Sequence, residues 1–376
     1  MPRTVRFSTL LCLVLILPAC QRETPAPQTQ ETVGGLEYGW NLIEPGGETT
    51  CSNGTPYAFY VRPGDPRKLL IYFQGGGACW FGETCDLTMT PTYDPTVTED
   101  DDPTGWPGIF EYDHPENPFA DYSTVFVPYC TADVHLGDAV TTYPVPATDS
   151  TEAHDVTINH RGHVNTRAVL DWTFAYFSAP STVFVTGSSA GAFPSAFYLP
   201  YVAEEYPEAH IAHLADGAGG YRGMDYLTLN DRWGIAGALP PFPEFEALAP
   251  ANMRLEGYLI ASARRYPDIV LTEYNTAGDD VQRRFLRLGG ITGTPLQTLL
   301  EANYTDVRNA VSNFRTYTAP GTSHTLLGRP EFYTVQVDGL RFRDWIAALA
   351  LGDPVNDVTC LLCDTDAENP DAVPSD

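Results

Sequence analysis

Short apolar runs alternate along this chain with longer segments in which apolar residues recur at helical spacing. That alternation predicts a mostly parallel β-sheet flanked by helices, so the expected fold class is α/β. Apolar runs predict seven strands, at 57–61, 68–73, 123–127, 182–186, 211–215, 268–274 and 313–318. Helical spacing predicts four helices, at 163–177, 190–206, 280–288 and 342–350.

Two segments between these elements lack a clear period. Residues 86–120 are rich in Pro, Asp and Thr, and we expect a long loop that forms one wall of a substrate cleft. Residues 221–257 are expected to form a small cap of helices and loops. No segment repeats at a fixed period, which argues against a solenoid or a propeller.

The first twenty residues have the features of an export signal. Arg3 and Arg6 form a basic start, and the apolar run at 10–17 is too short to span a bilayer. Residues 17–20 read Leu-Pro-Ala-Cys and resemble the site at which a bacterial lipoprotein is cleaved before a lipidated cysteine, here Cys20. Simple secretory cleavage is the alternative, because Pro18 is unusual at such a site. Both interpretations predict an exported protein. The first predicts a lipoprotein of the bacterial cell envelope whose only membrane contact is the lipid at Cys20, and the second a secreted or periplasmic protein.

Residues 21–33 consist mainly of Gln, Thr, Pro and Glu. Such a segment buries too little apolar surface to offset the entropy of ordering it, so it is predicted to be a flexible tether. Residues 364–376 are similarly polar and are predicted to be a C-terminal tail. One domain is therefore expected at 34–363, and the sequence does not predict its oligomeric state.

The formal net charge of −27 argues against nucleic acid as a partner. Nucleic-acid binding needs clustered Lys and Arg, and Lys68 is the only lysine in the chain. An acidic run at 99–102 lacks the spacing of a calcium-binding loop, so a solvated loop is favoured over a cation site.

Cysteine usage agrees with export. Beyond the signal and Cys20, six cysteines remain, and an even number in an exported chain indicates disulfides. Fifteen pairings are open, and closeness in sequence favours Cys79–Cys85. Cys360 and Cys363 resemble a zinc or redox half-site, but no second half accompanies them, so structural pairing is favoured.

The strongest chemical signal is the Gly-Ser-Ser-Ala-Gly sequence at 187–191, a G-x-S-x-G motif centred on Ser189. A nucleophilic serine must stand exposed on a sharp turn between a strand and a helix, and flanking glycines relieve the crowding there. The motif alone is weak, but it lies between a predicted strand and a predicted helix. We therefore expect Ser189 to be the nucleophile of an α/β-hydrolase-like fold.

A second signal is the Gln-Gly-Gly-Gly-Ala-Cys-Trp sequence at 74–80, directly after a predicted strand. Glycines there let backbone N–H groups point at a developing oxyanion. The expected donors are Gly76 or Gly77 together with Ala190. A phosphate-binding loop is disfavoured because the glycines lack the spacing and the lysine of such loops.

In this fold the acid follows the serine along the chain, and the histidine base follows the acid. His324 lies in a loop past a predicted strand, whereas His213 lies inside a strand and is expected to be a core residue. Asp279 and Asp216 are the two acid candidates, each after a strand, and position favours Asp279; Asp280 is a third. A helix N-cap is the alternative role for each.

Three further histidines, His154, His160 and His163, are expected in a polar loop, with no acidic residue at a spacing that suggests a metal site. In the expected mechanism Asp279 orients His324, His324 takes the proton of Ser189, and Ser189 attacks an ester carbonyl. This chemistry needs no cofactor or metal.

Together these motifs resemble the pectin acetylesterase family, which includes the Notum carboxylesterases. The resemblance runs from about Cys51 to His324. Its motifs lie at 74–79, 128–135, 161–162, 187–191, 215–217 and 275–282. The acid of the family lies three residues before a glutamine, which selects Asp279 and leaves Asp216 a structural role. His324 matches the base of the family.

The resemblance implies serine carboxylesterase activity but does not fix the substrate. Plant members deacetylate pectin, whereas Notum removes a long unsaturated acyl chain from a protein. The chain departs from the plant pattern at Gln74, where plants have Glu, and at Ala78, where plants have Trp. We expect short acyl groups, acetyl above all, on a small molecule or a polysaccharide. The alternatives are a long-chain, lipase-like or delipidating esterase and a non-catalytic, surface-anchored binding protein.

Overall fold

The computed structural model describes residues 1–2, 35–89, 91–149, 151–360 and 363. Cys20, the tether at 21–33 and the tail at 364–376 lie outside the described residues. The signal, the lipid anchor and the domain limits therefore stay predictions.

Thirteen strands occur in the described residues. They are β1 (Asn41–Ile43), β2 (Phe59–Arg62), β3 (Asp65–Phe73), β4 (Tyr122–Val127), β5 (Ala139–Val145), β6 (His154–His160), β7 (Thr182–Ser188), β8 (His210–Asp216), β9 (Leu271–Thr276), β10 (Phe314–Ala319), β11 (Gln336–Val337), β12 (Leu340–Arg341) and β13 (Val358–Thr359). Nine of them form the central sheet, in the order β1-β2-β4-β3-β7-β8-β9-β10-β13. Only β1, β2 and β4 pair antiparallel there, and the other neighbours are parallel.

Helices cover both faces of the sheet. The α-helices are α1 (Gly82–Cys85), α2 (Gly162–Tyr176), α3 (Ala192–Glu205), α4 (Tyr226–Trp233), α5 (Ile235–Ala238), α6 (Pro243–Glu246), α7 (Leu255–Arg265), α8 (Asp280–Leu288), α9 (Leu296–Ala310) and α10 (Phe342–Leu351). On β3, Leu69 and Ile71 pack in the core that includes α2, α3, α7 and α9, while Leu70 and Tyr72 pack in the core on the side of α10. Burial on both faces explains why the strands are continuous apolar runs.

The predicted α/β architecture is confirmed. Each of the seven predicted strands lies within three residues of its observed bounds, and the four predicted helices are α2, α3, α8 and α10. Short helices α4, α5 and α6 occupy the segment where a cap was expected. In the loop expected at 86–120, the helical structure of the described residues is limited to two single-turn 3₁₀ helices, Glu99–Asp101 and Gly108–Phe110.

One expectation about the chain before the nucleophile was wrong. His154 and His160 lie on β6, which pairs antiparallel with β5, and His163 lies in the first turn of α2. The hairpin was missed because its outward residues are polar and only a few side chains, such as Tyr143 and Ile158, are buried. Helices α7 and α9 were also missed, although α9 buries Leu296, Leu299, Leu300, Asn303, Tyr304 and Val307 at helical spacing.

Three disulfides join Cys51 to Cys130, Cys79 to Cys85 and Cys360 to Cys363. The two pairings favoured from sequence are both present, and Cys79–Cys85 connects the end of the glycine loop to α1. Such bonds are typical of proteins from oxidising compartments. Across the described ranges, the helices are too short or too polar to cross a bilayer.

Candidate active site

Ser189 lies on a sharp turn between β7 and α3. The strand ends at Ser188, a single 3₁₀ turn spans Ser189–Gly191, and α3 begins at Ala192. The backbone of Ser189 has φ +57°, which L-residues seldom adopt and which is typical of a nucleophile held on a strained strand-to-helix turn. At Gly191 a Cβ atom would overlap the carbonyl oxygen of Phe73, so the turn packs directly against the end of β3.

Asp279 lies between β9 and α8 and is fully buried. Its Oδ1 accepts hydrogen bonds from the backbone N–H groups of Val281 (3.0 Å) and Gln282 (2.9 Å), so it caps α8. Nδ1 of His324 lies 2.8 Å from Oδ2 and 3.0 Å from Oδ1. The side chain of Gln282 also donates to Oδ2, at 3.1 Å. The N-cap role and the role of partner to His324 therefore coexist in one carboxylate.

His324 lies in the loop that follows β10, and its side chain is 15% exposed. Nε2 is buried and has no hydrogen-bond partner among the described residues. The main-chain carbonyl of His324 accepts from Nε of Arg329 at 2.8 Å. Because Nδ1 is held by Asp279, Nε2 is the ring atom available to a serine hydroxyl or to a substrate.

Ser189 and His324 line the same open cleft, which has a volume of about 620 Å³. They are not hydrogen-bonded to each other in the part of the chain that the structure describes. Loose contacts of this kind are common in substrate-free serine enzymes and tighten when substrate binds. The loop at 320–324 and the turn at 187–191 thus meet at one edge of the sheet.

The glycine loop packs against the nucleophile turn. A Cβ atom at Gly75 would lie 2.7 Å from the carbonyl oxygen of Ser188 and 2.9 Å from Cβ of Ser189, so only glycine fits there. Gly76 and Gly77 also line the cleft beside Ser189. The backbone N–H of Gly76 donates no hydrogen bond to another described residue. It is therefore available to a negatively charged oxygen bound at Ser189.

Gln74 holds this loop in place through three contacts. Its Oε1 accepts from the backbone N–H of Tyr129 at 2.9 Å, and its Nε2 donates to Oδ1 of Asp101 at 2.7 Å. The Gln74 carbonyl lies 2.8 Å from Nε2 of His135. Burial lowers the pKa of His135 to about 4, so at neutral pH the ring is uncharged and donates from Nε2 to that carbonyl.

The expectation that the acidic run at 99–102 is a solvated loop was wrong for Asp101. The side chain of Asp101 is buried, and its Oδ2 accepts from the backbone N–H of Thr98 at 2.8 Å. Burial raises the pKa of Asp101, while the bonds from Thr98 and Gln74 oppose that rise. The one signal of this contact in the sequence was Gln74 itself, where plant members of the family have Glu, but the sequence did not identify Asp101 as its partner.

Asp216 and Asp280, the other acid candidates, do not contact the His324 ring. Asp216 accepts from Ser188 and from the backbone of Leu326 and Leu327. The carboxylate of Asp280 forms an ion pair with Arg283 at 3.2 Å. Of the three candidates, the structure brings only Asp279 to the ring of the histidine.

An apolar cavity of about 60 Å³, measured as the space open to the centre of a water molecule, lies beside Ser189. Gly77, Ser189 and Phe285 line both this cavity and the open cleft. Its walls come from the glycine loop, α3, the cap and α8, namely Gly77, Ala78, Trp80, Val134, Ser189, Ala190, Phe193, Tyr221, Met224, Tyr226, Leu229, Trp233 and Phe285. Sequence reasoning missed most of this set, since a buried aromatic residue of a cavity has the same pattern as one of a core.

The remaining histidines each have separate partners. His154 pairs with Asp86, and His163 contacts the hydroxyl of Tyr198. His160 lies between the Tyr143 hydroxyl and the Thr131 carbonyl, and His213 is buried against Ser195, as expected for a core residue. In the described ranges, His, Cys, Asp and Glu side chains do not gather into a group suited to a metal ion.

Comparison with known proteins assigns a family. The chain is 34% identical over 98 residues to the inactive palmitoleoyl-protein carboxylesterase notum1b of Danio rerio, covering 23% of this chain and 66% of that protein. It is 27% identical over 180 residues to the palmitoleoyl-protein carboxylesterase NOTUM of Homo sapiens, covering 44% of this chain but only 33% of that protein.

A solved structure of the Wnt deacylase Notum from Drosophila superposes with a TM-score of 0.56 at 17% identity, covering 82% of this chain and 93% of that one. At such low identity the superposition supports the shared fold alone. A sequence model described as pectinacetylesterase matches residues 39–233, just over half of the chain. The chain therefore belongs to the pectinacetylesterase family of carboxylic ester hydrolases.

Proposed function

We propose that the chain is a serine carboxylesterase that uses Ser189, His324 and Asp279. The observation that carries the proposal is the Asp279–His324 pair at the edge of a cleft whose wall includes Ser189. The strained turn at Ser189 and the adjacent glycine loop supply the two other parts that acyl transfer requires.

In the proposed mechanism, Oγ of Ser189 attacks the ester carbonyl carbon as its proton passes to Nε2 of His324. Asp279 holds Nδ1–H and stabilises the imidazolium that forms. The N–H groups of Gly76 or Gly77 and of Ala190 stabilise the negative carbonyl oxygen. His324 then gives its proton to the leaving alcohol. A water molecule, deprotonated by His324, attacks the acyl-enzyme, releases the acid and restores Ser189.

The apolar cavity is proposed to take the acyl group. About 60 Å³ of the cavity is open to the centre of a water-sized sphere, so it has room for only a few groups of that size. An acetyl group needs space for one methyl, whereas a palmitoyl chain needs far more than the cavity offers. Short to medium acyl chains, from acetyl to about hexanoyl, fit best.

The open cleft is proposed to take the alcohol. Trp106 and Pro107 give it an apolar wall, while Gln74 and Arg329 add polar groups. A sugar ring presents the same combination of a flat apolar face and hydroxyl groups. This arrangement supports an acylated carbohydrate as substrate. The predicted signal and lipid anchor at Cys20 support a location in the cell envelope for the proposed enzyme.

The test compares purified wild-type protein with the Ser189→Ala variant on p-nitrophenyl acetate, butyrate, hexanoate, octanoate and palmitate, and then on acetylated polysaccharides. Ser181→Ala is the matched control, because Ser181 precedes β7 at its other end and is exposed. We expect hydrolysis by the wild type and the control, none above background by Ser189→Ala, and a maximum between acetyl and hexanoyl.

Equal rates for wild type and Ser189→Ala would remove Ser189 from the chemistry and favour the non-catalytic alternative. The Danio rerio relative, which is named as inactive, is the reason to keep that alternative in the test. A maximum at palmitate would instead favour the long-chain, lipase-like alternative, since the acyl chain would then have to open the cavity beyond its present size.

A further inference from the structure

Asp216, at the end of β8, joins the nucleophile turn to the loop that carries His324. Its Oδ2 accepts from the hydroxyl of Ser188 at 2.7 Å and from the backbone N–H groups of Leu326 and Leu327 at 3.0 Å each. Its Oδ1 accepts from Leu326 as well, at 3.1 Å. The carboxylate is fully buried, and these donors come from residues adjacent to Ser189 and just beyond His324.

The loop needs such an anchor because Thr325 is strained. Thr325 follows His324 directly and has φ +61°, a conformation that β-branched residues rarely adopt. Asp216 binds the two N–H groups that come next, which fixes the chain on the far side of this residue. Gly217 lies beneath it, since a Cβ there would come within 2.9 Å of Cγ2 of Thr325. The Asp216-Gly217 pair therefore shapes the turn that presents the base.

Asp216 is also an electrostatic neighbour of His324. Burial raises the pKa of Asp216, whereas the bonds from Leu326, Leu327 and Ser188 and the attraction of His324 oppose that rise. The other titratable groups that face it are the hydroxyls of Tyr72 on β3 and Tyr274 on β9. Burial raises the pKa of both tyrosines, so they stay neutral at working pH. Because the partners within hydrogen-bonding distance all donate, the ionised carboxylate suits this environment.

We propose that Asp216 is a positioning residue that fixes His324 relative to Ser189 and adds a second negative charge behind the imidazolium. The inference rests on the proposed esterase function and extends it. Asp279 holds the ring through Nδ1, while Asp216 holds the main chain on which the ring is carried.

The experiment compares Asp216→Asn with Ser188→Ala, both assayed on p-nitrophenyl butyrate from about pH 5 to about pH 9, where a histidine base titrates. Asp216→Asn keeps the side-chain size but removes the charge and one acceptor. We expect kcat to fall about 100-fold with KM changed little, as for a misplaced catalytic group. The acid limb of kcat/KM should move down by about one pH unit, because the charge that favours protonated His324 is lost.

Ser188→Ala is the matched control for lost packing, since it keeps the charge and both backbone bonds. It should lower kcat less than about tenfold, as one hydrogen bond is lost, and leave the acid limb in place. Near-ultraviolet circular dichroism shows whether each variant is folded. If Asp216→Asn does not fold, Gly217→Ala replaces it. The added methyl group of that variant would displace Thr325, while the negative charge of Asp216 remains. It should therefore lower kcat and leave KM and the acid limb of kcat/KM unchanged.

Ser189→Ala, assayed beside these variants, separates the two proposals. If it hydrolyses the ester like wild type, the proposed mechanism through Ser189 fails whatever Asp216 does. If Ser189→Ala is inactive while folded Asp216→Asn keeps both the wild-type kcat and the wild-type acid limb, the inference about Asp216 alone is overturned. Wild-type kcat in Gly217→Ala would likewise overturn it where Asp216→Asn is unfolded.

Discussion

The two sides of the cleft are held by different kinds of group. On the side of His324, the buried carboxylates Asp279 and Asp216 contact the ring and its loop directly. On the side of the glycine loop, the groups in direct contact are neutral: the ring of His135 and the amide of Gln74, which separates the loop from the carboxylate of Asp101. During acyl transfer, positive charge develops on the base and negative charge on the carbonyl oxygen. Negative groups therefore contact the side that would become positive, whereas neutral groups contact the loop that would bind the negative oxygen.

The comparison also explains why two buried aspartates do not compete. Both follow neighbouring parallel strands, and both end near His324. Asp279 opens a helix, so its carboxylate lies against the ring Nδ1, whereas Asp216 precedes a tight turn at Gly217 and lies against the main chain. Similar positions in the sheet therefore give different roles, because the backbone that follows each residue points its carboxylate differently.

The largest effect is expected from removing the charge that contacts the ring. Asp279→Asn should lower kcat/KM about 10⁴-fold, because an amide favours the wrong tautomer of the base. Asp280 is next to Asp279 but pairs with Arg283 instead of His324. The kcat/KM of Asp280→Asn should therefore stay within about threefold of the wild-type value, as is usual for substitutions outside the catalytic contacts. Steady-state kinetics on p-nitrophenyl butyrate measures both. Similar losses in the two variants would mean that negative charge at the start of α8, and not the contact with His324, is what matters.

The second test places a negative charge on the glycine loop itself. Gln74→Glu would set a carboxylate against Asp101, where Nε2 of Gln74 now lies 2.7 Å from Oδ1. We expect kcat/KM at pH 8 to fall about 10- to 100-fold and the loss to shrink at pH 5, where one proton can be shared between the two acids. Adding Asp101→Asn should restore activity at pH 8. A loss that does not change with pH would show that shape, and not charge, is responsible.

A smaller effect concerns acyl-chain choice. Ala78 lines the apolar cavity, and Ala78→Trp should fill much of that space. The ratio of hexanoate to acetate hydrolysis should fall about tenfold, since removing room for one or two methylene groups is worth about 1–3 kcal/mol. The measurement is kcat/KM across the ester series. An unchanged ratio would mean that the acyl chain lies elsewhere.

The smallest effect on rate, but a measurable one on stability, concerns His135. Its pKa is lowered from 6.5 to about 4 in the folded protein, so the unfolded chain takes up the proton first as pH falls. The stability that the neutral ring contributes is present above pH 6.5 and is lost as pH falls toward 4. His135→Gln should therefore reduce the difference in unfolding free energy between pH 7 and pH 5 by about 2 kcal/mol. Urea unfolding at both pH values measures it, and an undiminished difference would contradict the assignment.

Much of the fold could be predicted because parallel strands buried on both faces are continuous apolar runs. The β5–β6 hairpin was missed because half of each strand faces solvent, and its polar residues resemble a loop. Asp279 could be selected only with the help of the family spacing to Gln282. The structure then gave that spacing a physical meaning, since Gln282 donates to Asp279 from the first turn of α8.

By itself the sequence determined the local chemistry of this protein: a serine on a strand-to-helix turn, a run of glycines after a strand, an aspartate at a helix start and a histidine in a loop. Each of these is written in a few consecutive residues. Only the tertiary structure decided that Asp216 holds Leu326, 110 positions away, that Gln74 binds Asp101, and that cap and α8 enclose a small apolar cavity. Periodicity records which side chains are buried, but the partner of a buried group depends on how distant elements pack.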